Sequence, residues 1–379
     1  MRICAMVFIL ISLTFGCRNP EGEVKNSEKT KGELENKSAE LFSITDEEGY
    51  RVLSIYSKKN EHVERYFLVS GTETVPDIIK HETVIRTPCR RVVCLSTTHI
   101  AFMDALNETG SIFAVSGIDY VYNQLLRDKA DSGLVKDIGY EASLDFELLL
   151  SLHPDLVTVY DINGTLSPIH AKLKKLGIPT VQINEYLESS PLGQAEWIKF
   201  FAEFFDKRKE ADSVFSMVYD QYTALKKAAD TCKVKPSVVV NLPWKGIWYI
   251  PGGKSNQAQL IDDAGGTYYW SETEEQHTMP LHIEDVYQKA VGADYWINPG
   301  DASKPEDITG VDTRLGKFKA LQTGNLYNRN KRMSPGGGND CMESGIVRPD
   351  LILKDLIAIL HPELLKGHGF YYYYTRLNN

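Results

Sequence analysis

The 379-residue sequence has few residues of the kinds that hold metal ions or cross-link small scaffolds. Its six cysteines include no C-x-x-C pair, and its nine histidines are scattered singly. A structural zinc site is therefore not expected. Apart from two cysteines near the N-terminus, the chain has Cys89, Cys94, Cys232 and Cys341. In an oxidising compartment one disulfide among these four is possible, but the sequence does not show which two would pair.

Basic charge is also scarce. The chain has 42 lysines and arginines against 51 aspartates and glutamates, which gives a net charge of −9. Because nucleic-acid binding needs a basic face, this balance argues against a nucleic-acid partner. An anionic small ligand stays open, since a local patch matters more than the total charge.

Motifs of common enzymes are missing as well. No G-x-S-x-G or H-E-x-x-H segment occurs. The sequence PGGKS at residues 251–255 resembles the end of a P-loop, but Trp248 stands where the first glycine is required. We therefore expect no catalytic residues, no metal site and no intrinsic cofactor.

The N-terminus has the features of an export signal. A basic dipeptide precedes an apolar stretch at residues 3–15, which ends just before a glycine and Cys17. This pattern is typical of a secretory signal peptide, here residues 1–16, and the stretch is shorter than the about 20 residues of a membrane span. The cysteine after a small residue resembles a bacterial lipobox, although Thr14 and Phe15 depart from it, and predicts lipid on Cys17. The alternative is an ordinary signal peptide with an incidental cysteine.

Composition divides the rest of the chain into segments. Residues 17–40 are polar and charge-rich, which indicates a disordered tether behind the lipid. Residues 41–89 contain short strand-like runs separated by turn residues, which predict a β-rich extension. From residue 90 strands and helices alternate, which indicates parallel sheets with covered faces. Because about 360 residues exceed what one core usually supports, two α/β lobes are predicted, at residues 90–192 and 232–379.

Residues 193–231 break this alternation with two consecutive helices. Apolar residues between Ala211 and Leu225 keep helical spacing, which predicts a helix of about 25 residues, roughly 37 Å long. Few compact domains need a helix of this length. We therefore expect it to run the height of both lobes and bridge them.

Four short segments of the α/β part are distinctive: ELLLSLHPDLV at residues 147–157, GQAEWIK at 193–199, IDDAGG at 261–266 and RPDLIL at 348–353. In the same order, they resemble segments of the substrate-binding proteins of ABC importers for vitamin B12, haem and ferric siderophores. The resemblance implies two Rossmann-like lobes with central sheets, a long rigid backbone helix that joins them, and a ligand cleft between the lobes. A helix tied to both lobes resists wide hinge motion, so we expect a largely preformed site in a monomer.

Ligands of open α/β sheets bind beyond the carboxyl ends of the strands. Here the loops after the predicted strands contain a hydroxyl-rich helix start and many aromatic residues. Free N–H groups at a helix start suit an anionic group, and flat rings suit a porphyrin, corrin or catecholate, although the same rings could instead fill the core. The candidate ligand-binding residues are Ser96, Thr97, Thr98, His99, Tyr120, Tyr140, Tyr160, Trp244, Trp248, Tyr249 and Trp270.

The resemblance implies roles for three acidic residues. Asp340, in a glycine-rich loop expected to be neither helix nor strand, resembles a cleft-lining aspartate of the B12-binding members, although Cys341 replaces the usual aromatic neighbour. Glu147 and Glu284 each open a helix, and in the family a glutamate at each place docks into an arginine pocket of the permease. The alternative is that both glutamates only stabilise their helices through the helix dipole.

These features predict an exported solute-binding lipoprotein of a Gram-negative bacterium, anchored through Cys17 in the periplasm or at the cell surface. It would capture a metal chelate, namely a cobamide such as cobalamin, haem or a ferric siderophore, and deliver it to the permease of an ABC importer. Two alternatives stay open. One is a metallochelatase-like enzyme that uses His99, and the other is a surface lipoprotein that hands its ligand to an outer-membrane receptor.

Overall fold

The computed structural model describes residues 32–57, 63–140, 143–160, 167–365 and 371–378. The predicted signal peptide and the lipidation site at Cys17 lie outside these residues. The described part of the chain belongs to one compact unit, Gly32–Asn379. Across these ranges, no helix combines the length and the apolar character needed to cross a bilayer.

The N-terminal extension is a four-stranded sheet. Its strands, in spatial order, are β1 (Phe42–Glu47), β2 (Tyr50–Tyr56), β3 (Val63–Ser70) and β4 (Val84–Thr87). The first three are antiparallel neighbours, and β4 runs parallel to β3. Phe42 packs edge-on against Trp197 and Phe200, so the extension shares a hydrophobic core with the first lobe.

The chain just before this sheet is fixed to the body by two buried carboxylates. Glu196 accepts hydrogen bonds of 2.6–3.0 Å from the backbone N–H groups of residues 37–39. Glu188 accepts those of residues 40 and 41. Buried carboxylates need such donors, and these come from a segment that we expected to be disordered. The prediction of a disordered tether is therefore wrong for residues 37–40.

The first lobe is built on a parallel sheet. Its strands are β5 (Val92–Cys94), β6 (Ile112–Val115), β7 (Lys136–Asp137), β8 (Leu156–Val159) and β9 (Thr180–Gln182), and its helices are α1 (Thr97–Ala105), α2 (Gln124–Asp131), α3 (Phe146–Ser151) and α4 (Pro168–Lys175). The strand order is β7-β6-β5-β8-β9. The central strands β5 and β8 are buried along their whole length, as expected where helices cover both faces of a sheet.

Two helices lead from the first lobe to the second, α5 (Pro191–Ala202) and α6 (Arg208–Ala229). The 22 residues of α6 correspond to a length of about 33 Å. Its first half buries Phe215 and Val218 in the core of the first lobe, and its second half buries Tyr222 and Ala229 in the core of the second. The predicted helix common to both lobes is therefore confirmed.

The second lobe contains a five-stranded sheet and a smaller three-stranded one. Its strands are β10 (Ser237–Val240), β11 (Pro243–Trp244), β12 (Ile247–Pro251), β13 (Thr267–Tyr268), β14 (Thr278–His282), β15 (Tyr295–Ile297), β16 (Leu326–Asn328) and β17 (Thr375–Arg376). The orders are β13-β10-β15-β16-β17 and β11-β12-β14. In the larger sheet β17 pairs antiparallel and the other pairs are parallel.

The described residues of this lobe also form the α-helices α7 (Asn256–Asp263), α8 (Ile283–Ala290), α9 (Pro305–Val311), α10 (Lys319–Gln322), α11 (Asp340–Glu343) and α12 (Pro349–Leu360). Asp340 thus begins a one-turn helix, so the prediction that it lies in a loop is wrong. Cys89, Cys94, Cys232 and Cys341 are free thiols. The predicted α/β class with two lobes is confirmed.

Candidate ligand-binding cleft

A cavity of about 290 Å³ lies between the two lobes. The first lobe contributes Thr98, at the start of α1, and Glu185 and Tyr186, which follow β9. The second lobe contributes Asn298 after β15, Arg329 after β16 and one side of α7. The cavity therefore lies beyond the carboxyl ends of both sheets, where ligands of open α/β folds bind.

A buried carboxyl group lines the first-lobe wall. Ser96 caps α1, and its Oγ lies 2.8 Å from Oγ1 of Thr98, which donates to Oε1 of Glu185 at 2.6 Å. Burial raises the pKa of Glu185. Its second oxygen, Oε2, has no hydrogen-bond partner among the described residues. A bound ligand or an ordered water would satisfy such an oxygen.

The second-lobe wall adds two unpaired amide atoms and a guanidinium cation. Asn256 Oδ1 and Gln257 Nε2, on the first turn of α7, are buried without a partner in the described part of the chain. Arg329 also lines the cavity, and no described residue forms an ion pair with its guanidinium. The remaining lining is largely apolar and includes Leu260, Ile261, Met342, Ile346, Ile352 and Leu356. Apolar walls with a few polar groups are typical of small-ligand sites.

A buried carboxylate joins the lobes beside this cavity. Glu343, at the end of α11, is 3% exposed. It accepts hydrogen bonds from the backbone N–H groups of Tyr122 at 2.7 Å and Asn123 at 3.0 Å, both in the first lobe. Burial raises the pKa of Glu343 to about 7, while these two hydrogen bonds act to lower it. The contact between the lobes thus depends on a group that titrates near neutral pH.

The glycine-rich loop before α11 makes a second contact between the lobes. A Cβ on Gly336 would lie 2.7 Å from the carbonyl oxygen of Asp119, and a Cβ on Gly338 would lie 2.6 Å from that of Tyr120. Both distances are too short for any larger residue without movement. These glycines therefore serve the close approach of the two lobes.

Replacing Glu343 with glutamine is expected to remove part of the pH dependence of stability. Because the folded-state pKa exceeds the ordinary value of 4.5, the contribution of Glu343 is complete below about pH 4.5 and is lost as the pH rises through about 7. The free energy of unfolding of the wild type, relative to Glu343→Gln, should fall by up to about 3 kcal/mol across this window. Urea unfolding of both proteins at a series of pH values measures the difference.

The other buried carboxyl groups are present in both proteins, so the difference isolates Glu343. Glu272→Gln, on an exposed residue, is the matched control and should keep the pH dependence of the wild type. A difference between wild type and Glu343→Gln that is constant from about pH 4.5 to 7.5 would contradict the prediction.

The hydroxyl-rich helix start is at the cavity. Thr98 lines it directly, and Ser96 acts through Thr98 as the cap of α1. Thr97 begins α1 and is half-buried. Tyr160 follows β8 and is also half-buried, with its ring centre 6.4 Å from that of His99.

Three of the candidate residues are packed in the core. His99 is 0% exposed, its Nδ1 lies 2.8 Å from Oγ1 of Thr158, and burial lowers its pKa to about 3. Trp248 is 0% exposed and stacks on Trp296, and Trp270 is also buried. These positions do not fit contact with a ligand in the cleft, because neighbouring side chains cover the rings. The chelatase alternative needed an accessible His99 and loses its basis.

Four candidate aromatic residues are exposed at the cleft edge instead. Tyr120 and Tyr140 follow β6 and β7, with ring centres 5.1 Å apart. Trp244 and Tyr249 lie on the β11–β12 hairpin that follows β10. All four are exposed, Trp244 most of all at 61%. We call them the rim aromatics; none of the four lines the cavity.

The acidic residues assigned through the resemblance differ in position. Asp340 is buried in an ion pair with Arg332, so it does not line the cavity as expected. Glu147 and Glu284 are exposed on the first turns of α3 and α8. Each of these helices runs back to a parallel strand, β8 or β15, so its first turn lies at the cleft edge of its lobe.

The polar cavity residues Glu185, Asn256, Gln257 and Arg329 were not anticipated from the sequence. Glu185 follows β9, a strand that the apolar pattern predicts, so the rule applied to the aromatic loops could have found it. Arg329 follows β16, whose residues Leu326–Asn328 stand between polar residues and form no apolar run.

A larger open depression of about 900 Å³ lies elsewhere on the second lobe. Its lining is mostly polar and charged, with Lys235, Lys254, Asp262, Glu272 and Glu275 among the residues. It offers little apolar surface to an organic ligand. The cavity between the lobes is therefore the better candidate site.

Comparison with known proteins finds a matching family model and two relatives that are similar over most of the chain. The family model described as periplasmic binding protein matches residues 92–332. An uncharacterized lipoprotein of Methanocaldococcus jannaschii is 29% identical over 329 residues, which cover 82% of this chain and 75% of the relative. A second uncharacterized lipoprotein of that archaeon is 25% identical over 355 residues, 89% of this chain and 86% of the relative.

Solved structures share the fold at low identity. A periplasmic heme-binding protein from Pseudomonas aeruginosa superposes with a TM-score of 0.55 at 14% identity, over 72% of this chain and 93% of that one. CeuE of Helicobacter pylori, in a Ni–His complex, gives a TM-score of 0.58 at 15% identity, over 84% and 91%. The two curated relatives are archaeal, so the expected Gram-negative location has no support from them.

Proposed function

This chain belongs to the periplasmic binding protein family, and we propose that it is an extracytoplasmic lipoprotein that captures a metal chelate and delivers it to the permease of an ABC importer. Cys17 would carry the lipid that holds it at a membrane. Two curated relatives named as lipoproteins support this anchoring. The protein would act by binding and release, without chemistry of its own.

The cavity between the lobes is the observation that carries this proposal. It presents three unpaired atoms, Glu185 Oε2, Asn256 Oδ1 and Gln257 Nε2, within largely apolar walls that also include Arg329. An anionic group would bind Arg329 through charge-assisted hydrogen bonds, and donor groups of the ligand would satisfy Glu185. Haem propionates, the phosphate of a cobamide and the anionic oxygen atoms of a ferric siderophore are acceptors that suit Arg329, whereas amide or hydroxyl groups of a ligand would donate to Glu185.

The size of the cavity constrains how such a ligand would sit. Its volume of about 290 Å³ is at the lower end of ligand pockets, which span roughly 300–1,000 Å³. A porphyrin or corrin ring exceeds this space. Since Glu343 and α6 tie the lobes together, we infer that a large chelate would insert one polar edge and rest its flat face on the rim aromatics.

Calorimetric titration of the purified protein with hemin, cyanocobalamin and several ferric siderophores tests the proposal. One member of this panel is expected to bind saturably with one-to-one stoichiometry. Arg329→Ala should then weaken its affinity roughly ten- to hundredfold, because a hydrogen bond to a charged group is lost.

Arg86→Ala is the matched control. Arg86 lies in the N-terminal sheet and donates to backbone carbonyls of residues 71 and 73, away from the cavity. Its replacement should leave ligand affinity unchanged. Failure of the whole panel to bind would contradict the metal-chelate cargo, whereas binding that survives Arg329→Ala would contradict the cavity as its site.

A further inference from the structure

A cluster of three metal-binding residue types lies outside the cleft. One potential ligand atom each from Cys232, His361 and Glu363 lies within 4.8 Å of the other two. Cys232 follows α6, and His361 and Glu363 follow α12. We propose that these three side chains form a binding site for a zinc-like divalent cation, separate from the site of the transported ligand.

The ring of His361 is oriented as in a metal ligand. Its Nε2 lies 3.1 Å from the carbonyl oxygen of Gly265. A carbonyl oxygen only accepts, so Nε2 carries a proton, and in the neutral imidazole Nδ1 then keeps a free lone pair. Gly265 has a φ of +76°, and a Cβ there would lie 2.8 Å from Nε2, so glycine permits this contact. Metal-binding histidines commonly have their other N–H held in this way.

The lone pair of Nδ1 faces further electron-pair donors. Oε1 of Glu363 lies 3.5 Å from Nδ1, and a free imidazole nitrogen and a carboxylate oxygen at this distance repel each other unless a cation or a proton lies between them. The Cys232 thiol is free and half-buried and supplies a third donor.

Sulfur, nitrogen and oxygen donors of these types suit Zn²⁺, which takes three protein ligands and a water in open tetrahedral sites. Because the thiolate is the form that binds metal, the Cys232 proton would pass to solvent on binding.

The cluster and the cleft lie at opposite ends of the parallel strands of the second lobe. Cys232 precedes β10 and Gly265 precedes β13, and these two strands are parallel. The cluster is therefore at the amino ends of the strands, whereas the cleft is at their carboxyl ends. A bound cation would join the end of α6 to the end of α12. Cys232 is far from His361 and Glu363 in the sequence, which is why their spacing did not predict a site.

Titration of the purified, untagged and reduced protein with Zn²⁺ and with Co²⁺ tests this inference. One high-affinity cation should bind per chain, and Co²⁺ should produce a thiolate-to-metal charge-transfer band. Cys232→Ser should abolish that band, and Cys232→Ser and Glu363→Gln should each weaken Zn²⁺ binding at least about tenfold. Cys232 and Glu363 are chosen because both substitutions leave the hydrogen bond of His361 to Gly265 intact.

His282→Gln and Glu306→Gln, on exposed residues of the same lobe, should leave cation binding unchanged. Absence of saturable one-to-one binding, or Zn²⁺ affinity unaffected by Cys232→Ser, would overturn the inference. Neither result depends on which chelate, if any, binds in the cleft, so the two proposals fail independently.

Discussion

Replacing Glu147 and Glu284 together with alanine is expected to reduce ligand uptake on the order of 100-fold while the purified protein keeps its ligand affinity. Both carboxylates are exposed on first turns of helices at the cleft edge, one on each lobe. Two arginine pockets of a permease would each form charge-assisted hydrogen bonds with one of them. Arg314 donates to Glu284 at 2.8 Å and lowers the pKa of this carboxyl group. A permease arginine would therefore meet an ionised carboxylate and replace Arg314 as its partner.

Uptake of labelled ligand by cells or proteoliposomes that contain the importer measures the first effect, and calorimetry measures the second. Glu306→Ala is the matched control, because Glu306 is also an exposed glutamate on the first turn of a helix, α9. It should leave uptake unchanged. If the double variant takes up ligand as fast as the wild type, the docking role is contradicted. Both glutamates would then only stabilise their helices through the helix dipole.

Replacing Trp296 with alanine is expected to lower the free energy of unfolding by roughly 3–5 kcal/mol. Trp296 is fully buried, stacks on Trp248 with ring centres 5.5 Å apart and lies 4.8 Å from the ring centre of Phe318. Its Nε1 donates to the backbone carbonyl of Asn241 at 2.8 Å. The substitution leaves a cavity and an unpaired carbonyl in the core of the second lobe, a large loss against a typical total of about 5–15 kcal/mol.

Urea unfolding followed by circular dichroism measures this change. Trp244→Ala is the matched control in the same lobe, because Trp244 is 61% exposed; it should change stability by less than about 0.5 kcal/mol. If Trp296→Ala is as stable as Trp244→Ala, the stacked rings contribute no more to the free energy of unfolding than a surface residue does, which would contradict the prediction. The same Trp244→Ala protein should bind a large chelate more weakly if the rim aromatics contact it.

Much of the architecture could be predicted from the sequence. The helical spacing of Phe215, Val218 and Tyr222 predicted a helix longer than one lobe requires, and α6 has that form. The buried strands β5 and β8 were recognisable as short apolar runs next to helices. These features can be recognised from residues close together in the sequence, because the direction of side chains repeats with a fixed period in strands and in helices.

The candidate site was only partly predictable. Thr98 was found because helix starts after strands recur at ligand sites, and Glu185 could have been found by the same rule. Trp248 and Trp244 are four positions apart and are both aromatic, yet one is 0% and the other 61% exposed. Composition cannot separate them, since burial depends on which distant residues pack against each ring.

The sequence by itself therefore determined the α/β class, the two lobes, the bridging helix and the family resemblance, because local periodicity, chain length and short motifs encode them. Only the tertiary structure decided which polar groups face the cavity, that Glu343 joins the lobes through Tyr122 and Asn123, and that Cys232 lies near His361. Each of these depends on contacts between residues far apart along the chain. Such contacts are set by the packing of whole elements, which no local pattern specifies.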